Sequence, residues 1–404
     1  SEDDAFAYQL LERYLKLRLK GTSYAYYDDP LSPSSGMQSG LPILLADYTF
    51  RSPKDVEDYL HILDQTDTYF QGLIQYEKEK EKRGLFMSEN GVKKVKEQCC
   101  AIMDKKLLST GAHFLHTTFN ERVSVMEEKG QITREQKEQW ISENDRLLTT
   151  VVGPAYESVA DAFTVFEGSG EAMGLCNFKD GRAYYEYLLA SITGSSRSIP
   201  GIKTMLLEDF QKNYTALAAL LKSCPELVFM DSESAQSFPY STAAEMLNDL
   251  QRRMSADFPS FPRLEKDFTP SCTIKSVSPA MESYSSPAYY LTPPIDDMSS
   301  NIIYINQKNM PDALTLYTTL AHEGYPGHLY QTVYSQLYMN LRNTSCLRYL
   351  LHYGGYTEGW ALYVENLSYQ YAQQLVQEEA PTEALWYEAC RLNRNLQLCT
   401  YSLL

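Results

Sequence analysis

The segment His322-Glu323-Gly324-Tyr325-Pro326-Gly327-His328 sets two imidazoles around a carboxylate, and Thr357-Glu358-Gly359-Trp360-Ala361-Leu362-Tyr363-Val364-Glu365 adds two more acids further along the chain. Two imidazoles and one carboxylate are the donor set of a catalytic Zn2+ site whose fourth position stays open for water. Glu323 adjoins the first imidazole, where a general base has to stand. Residues of these types in this order point to a zinc hydrolase acting on peptide bonds.

The histidines are six residues apart, which a regular helix cannot reconcile with a shared ion. Six residues turn it by about 600°, or 240° net, and the two rings then point apart. Histidines four apart, as in H-E-x-x-H, share one face. Two residues between the ligands must therefore be looped out. Pro326 lacks the N–H that would pair with the carbonyl of His322, and Gly327 tolerates backbone geometry closed to other residues. A broken turn at these positions swings His328 back toward His322, and such helix irregularities are frequent at functional sites.

The elements that position this turn follow from local signals. Asn309 can cap the preceding helix, Pro311 falls in its first turn, and Asp312 complements the positive end of its dipole. Apolar residues at helical spacing then run to Ala321. A helix resumes at His328. Upstream, Ala288–Leu291 and Asn301–Asn306 read as short strands, the first ended by Pro293-Pro294. A strand leading into the metal helix suits an extended peptide paired along its edge.

The H-E-x-x-P-G-H pattern followed by E-G-W-A-x-Y-x-E resembles the bacterial "domain of unknown function 885" family, grouped with gluzincin-type zinc metallopeptidases. The second motif is also similar to the N-E-G-x-x-x-Y-x-E segment of leukotriene A4 hydrolase and its aminopeptidase relatives. That resemblance implies Glu358 as the third ligand beside His322 and His328, although Thr357 stands where those relatives have Asn. It also implies Glu323 as the catalytic base. Weaker similarity extends through Gly181–Tyr187 and Tyr290–Pro294. Glu365, seven residues after Glu358, lies near the same helical face and can orient a ligand imidazole. An oxyanion needs a further donor. His352, Tyr353 and Tyr356 precede the third ligand, while Tyr401, Arg391 and Arg394 lie on the last helix, the arginines suited to a substrate carboxylate. Trp360 and Tyr363 read as core packing.

The remainder of the chain sets the frame. With 404 residues, 44% of them hydrophobic, it can bury a large core. A net charge of −16 argues against nucleic acid and anionic membranes as partners. The partner expected is a peptide or small amide substrate. Eight cysteines show no C-x-x-C pair, so neither a zinc knot nor a disulfide framework is indicated. No apolar run is long enough to span a membrane. The resembled family is often exported or lipid-anchored, which favours the cell envelope or exterior. Helices are expected over Asp3–Leu19, from Ser52-Pro53 to Lys82, after Asn90, after the capping box at Thr133, and over Gly181–Thr193, Ile199–Lys222, Thr242–Ala256 and Leu385–Leu404. Residues 21–42 read as a loop. The fold expected is mainly α, a two-lobed zincin-like metallopeptidase with a small antiparallel sheet beside the cleft. A helical region over 1–260 precedes a catalytic region over 261–404. The last helix stops without a cap, so a further C-terminal segment completing the fold is expected. Two other readings use the same residues: a zinc hydrolase of a non-peptide amide or ester, and a non-catalytic helical binding protein.

Overall fold

The computed structural model describes residues 2–170, 174–232, 235, 237–262, 270–277, 279, 282, 285–295, 297–308 and 310–404. The described residues are mainly helical. In chain order the helices are α1 (Glu2–Gly21), α2 (Met37–Ala46), α3 (Pro53–Lys82), α4 (Glu89–Ile102), α5 (Lys105–Ser109), α6 (Phe114–Glu128), α7 (Arg134–Leu147), α8 (Gly153–Val165), α9 (Gly181–Thr193), α10 (Ile199–Ser223), α11 (Ala243–Met254), α12 (Ala313–Glu323), α13 (His328–Leu341), α14 (Gly354–Val376) and α15 (Pro381–Leu403). Three strands, β1 (Ser271–Ser276), β2 (Ala288–Leu291) and β3 (Ser300–Ile305), form one sheet in the order β1-β3-β2.

Contacts divide the chain into two units. One comprises residues 21–185 with 278–284; the other comprises residues 1–20, 186–277 and 285–404 and carries both motifs. This partition differs from a boundary at residue 260, because α10 packs along α15 within the second unit. In the first unit, α2 starts inside the segment read as a loop and contains Pro42. A proline there leaves the carbonyl of Gln38 without its helical donor. The hydroxyl of the buried Tyr156 supplies one at 2.9 Å, so the helix tolerates the proline.

The sheet is mixed rather than antiparallel. β2 pairs antiparallel with β3, but β1 runs parallel to β3, with Ser271 opposite Ser300. A parallel pair needs a crossover of a dozen or more residues, and residues 277–299 provide that length. Consequently β3, the strand leading into α12, is the central strand and offers no free edge to a peptide. The outer strands are β1 and β2.

Helix α12 begins later than its sequence signals suggest. Asn309 lies outside the described residues, and the cap is Asp312, which accepts the backbone N–H of Thr315 at 3.0 Å and its hydroxyl at 2.8 Å. Leu316, Tyr317, Leu320 and Ala321 are buried in a core shared with Leu247 and Leu250 of α11, Leu329 and Val333 of α13, and Ala372 of α14. A buried polar network fixes the same helices. Asp249 of α11 accepts Tyr317 of α12 at 2.8 Å, Tyr240 at 2.9 Å and Arg253 Nε at 2.7 Å, and also pairs with Arg252. Arg253 reaches on to Gln374 of α14 at 3.1 Å. Burial alone would raise the Asp249 carboxyl, but the hydrogen bonds from Tyr317, Arg253 and Tyr240 outweigh it and hold the carboxyl below its ordinary value.

Removing one partner of a buried charge network leaves the others uncompensated, so Asp249→Asn is expected to cost about 3 kcal/mol at neutral pH. A depressed carboxyl stabilises the fold above its unfolded pKa and loses that contribution as pH falls through the folded one. The difference between wild type and variant therefore shrinks on acidification below about pH 4. Urea denaturation followed by tryptophan fluorescence at pH 7 and pH 3.5 measures both effects, since Trp360 and Trp386 lie in this unit.

Candidate metal centre

The helix carrying His322 ends at Glu323, and the next begins at His328. Between them, the Gly324 N–H closes the last turn on Leu320 O at 2.8 Å, and the Gly327 carbonyl opens α13 by accepting from Gln331 at 2.9 Å. The Tyr325–Pro326 peptide bond is cis. The carbonyl of Pro326 accepts the indole N–H of Trp360 at 2.9 Å, so Trp360 tethers the interruption to α14 as well as packing against the core. Gly327 is required by close approach rather than by a positive φ. A Cβ there would lie 1.8 Å from the carbonyl oxygen of His322 and 2.3 Å from that of Ala321.

The interruption brings the two imidazoles together, their ring centres 4.8 Å apart and their planes at 85°. Helix α14 brings Glu358 to them. His322 Nε2 lies 3.5 Å from Glu358 Oε2, and His328 Nε2 lies 3.7 Å from Glu358 Oε1. Ligand atoms of His322, His328 and Glu358 all fall within 4.8 Å of one another. Donors around a tetrahedral zinc with bonds of about 2.0–2.1 Å are separated by about 3.3–3.4 Å. The two contacts use different Glu358 oxygens, and with one atom per residue the three donors lie within 4.8 Å of one another, so the set has the donor types and the clustering that one zinc ion takes.

The other ring nitrogen of His322 is engaged by Glu365. Nδ1 stands 3.0 Å from Glu365 Oε2, while Glu365 Oε1 takes Arg394 Nε at 2.9 Å. Seven residues make two helical turns, so Glu358 and Glu365 meet the same imidazole from opposite sides. A carboxylate at Nδ1 fixes the tautomer that leaves the Nε2 lone pair free for a ligand role. Burial pushes His322 down, but the Glu365 hydrogen bond and the charges of Glu323, Glu365 and Glu358 outweigh it and raise its pKa. His328 is lowered by burial and by His322. Burial would raise Glu365, yet its bonds to His322 and Arg394 bring it below the ordinary value.

Glu323 is anchored by an interaction with no sequence signature. The backbone N–H of Tyr290 on the outer strand β2 donates to its Oε2 at 2.8 Å. Burial raises the Glu323 carboxyl, opposed by His322 and this N–H, which suits a base working nearer neutrality.

Not every expected residue joins the centre. Among the described residues no hydrogen bond links His352, Tyr353 or Tyr356 to His322, Glu323, His328 or Glu358. Tyr353 packs edge-on against Tyr14, with ring centres 5.7 Å apart, and Tyr356 is 70% exposed. Arg391 is held by Glu388 through two bonds of 2.8 and 2.6 Å, and Tyr401 is exposed. Arg394 is the member of the last helix that reaches the centre, through Glu365.

Residues 1–386 match the family described as "Bacterial protein of unknown function (DUF885)". The fold is similar to a crystal structure described as that of "the putative lipoprotein from Colwellia psychrerythraea", with a TM-score of 0.74 and 20% identity, covering 93% of this chain and 64% of that one. At that identity the likeness concerns fold alone, and this chain spans 64% of that protein's length. No curated protein matches the sequence. Among the described residues no helix is long and apolar enough to cross a membrane.

The fit of the interruption is open to test by two glycine replacements. Gly327→Ala forces a methyl group onto backbone atoms and is expected to destabilise the protein by about 2 kcal/mol or more. Gly359→Ala, on the exposed side of α14 with nothing within 4 Å of the new Cβ, is expected to gain about 0.5–1 kcal/mol from helix propensity. Thermal melts of the pair should move in opposite directions; equal shifts would remove the close-approach argument.

Proposed function

The chain belongs to the DUF885 family of bacterial proteins of unknown function, and for it we propose zinc-dependent hydrolysis of peptide bonds in the manner of gluzincin metallopeptidases. The observation that carries this reading is the convergence of His322, His328 and Glu358 ligand atoms within 4.8 Å of one another, next to a carboxylate that none of them uses. A zinc ion at such a donor set supplies Lewis acidity toward a carbonyl and acidifies a water.

The protein's own groups then divide the work. Glu365 holds the His322 ring by Nδ1 and keeps Nε2 available. Glu323, with Oε2 tied to the Tyr290 N–H, keeps Oε1 to take a proton from the attacking water and to return it to the leaving amine. The raised carboxyl is the stronger base toward the water and, once protonated, keeps the proton until the more basic leaving amine takes it. Strand β2 contributes this anchor from the outer side of the sheet. The envelope or exterior is the location we propose, in keeping with the lipoprotein description of the Colwellia protein.

Elemental analysis of protein purified without added metal is expected to find one zinc per chain. Glu323→Gln should keep that zinc and lower peptide turnover by at least about 10²-fold, whereas His322→Ala should lose the zinc. Turnover that survives His322→Ala in metal-free protein would overturn the proposal.

A further inference from the structure

A cavity of about 510 Å³ opens beside His322 and Glu323, walled by Thr315, Thr318 and Thr319 of α12 and by Asn393, Arg394 and Gln397 of α15. Its depth follows from helical spacing. Thr315, Thr319 and His322 recur at four and three residues, so they line one face of α12 over about 10 Å. That is the length of about three extended residues.

The accessible charges of this cavity are unequal. Glu365 lines it, but one carboxylate oxygen is taken by His322 and the other by Arg394, and its side chain is 8% exposed. Arg394 spends only Nε on Glu365 and is 40% exposed. Its two terminal nitrogens have no hydrogen-bond partner among the described residues. Thr319, Asn393 and Gln397 likewise keep uncommitted donors there. Glu323 lines the cavity beside His322, committed to the Tyr290 N–H through one oxygen. An ammonium group entering the cavity beyond Glu323 therefore meets no free carboxylate. A carboxylate meets the open side of a guanidinium, which binds it in a two-pronged fashion.

We infer that this cavity receives the free α-carboxylate of a peptide's C-terminal residue on Arg394, so that the site trims peptides from the carboxy terminus and releases products of no more than about two residues. The inference rests on the hydrolase reading for the cleavage and on the cavity alone for the binding. Glu365 bridges Arg394 Nε and His322 Nδ1 at 2.9 and 3.0 Å, so a terminal carboxylate on the guanidinium stands about one to two extended residues from the His322 ring. The peptide carbonyl at that distance then reaches Glu323.

The test uses N-acetylated peptides in pairs that differ only in a free or an amidated C-terminus. Binding to Glu323→Gln protein is read by calorimetry, and cleavage products of the wild type by mass spectrometry. The free acid should bind at least about tenfold more tightly than the amide, as expected for a charge-assisted contact. Gln397→Glu, which adds a carboxylate to the cavity wall without touching the Arg394–Glu365 pair, should abolish that preference. Arg394→Lys, which keeps a cation for Glu365 but loses the fork, should reduce it. Equal affinities for acid and amide, or internal cleavage of both at the same bonds, would overturn the inference and leave the hydrolase standing. A retained acid preference in protein that carries no zinc and cleaves nothing would do the reverse. A third set with a free amino terminus and an amidated carboxy terminus completes the panel, and a preference for that set would overturn the inference in favour of trimming from the other end.

Discussion

One imidazole, that of His322, sits between two carboxylates of a single helix, and the unit that carries both motifs is organised around keeping it there. Glu358 approaches Nε2 and Glu365 approaches Nδ1. The arrangement works only if α14 is held at one distance and one rotation relative to α12. A displacement of about 1 Å at either helix would bring one contact to non-bonded range and lose the other's direction. The supports are correspondingly numerous. Asp249 ties α11 to Tyr317 of α12, Arg253 carries the link to Gln374 of α14, and Trp360 fastens α14 to the carbonyl of Pro326. Glu358, Trp360 and Glu365 thus give one helix three duties: a donor to the centre, a tether on the interruption and a partner to the first histidine.

What could be read in the chain was what depends on neighbours in sequence. A proline and a glycine between two histidines six apart announce a break, since proline removes a helical donor wherever it sits. The same reasoning fails at Pro42, which lies inside α2 because Tyr156, distant in sequence, satisfies the carbonyl it leaves bare. Cap selection was legible only in part, because Asp312 and Asn309 are equally competent by type and three residues apart. Neither the existence nor the direction of strand β1 was read in the sequence. Alternating patterns and turn residues define a strand, but pairing with β3 rather than β2, and in parallel, depends on the course of the intervening chain.

The same distinction separates the members of the centre. Glu365 could be predicted from a spacing of seven, which is a property of one helix. Arg394 stood among the candidates of the last helix by residue type, but its place at Glu365 could not be read, because nothing links the two across 29 residues except the packing of α14 on α15. The Tyr290 N–H is less visible still, being a backbone group common to every residue but proline. Its value lies in the strand order: β2 is an outer strand, so the amide it turns away from β3 is free to serve Glu323.

Electrostatics explain why the outer partners are needed. The chain carries a net charge of −16, and three carboxylates crowd around two imidazoles. Left to Coulomb attraction alone, the imidazoles would acquire protons and the carboxylates would collapse onto them. Arg394 shares Glu365 with His322, and the hydrogen bonds from His322 and Arg394 together bring that carboxyl below its ordinary pKa despite its burial. Burial and the neighbouring His322 keep His328 down. The two rings thereby differ in character although both come from one seven-residue motif. His322 is raised and clamped at Nδ1, whereas His328 is lowered. A carboxylate on one nitrogen of His322 settles which nitrogen faces Glu358, and Arg394 settles how much negative charge that carboxylate can lend. The last helix, remote in sequence from the H-E-x-x-P-G-H segment, therefore holds the carboxylate that engages its first histidine.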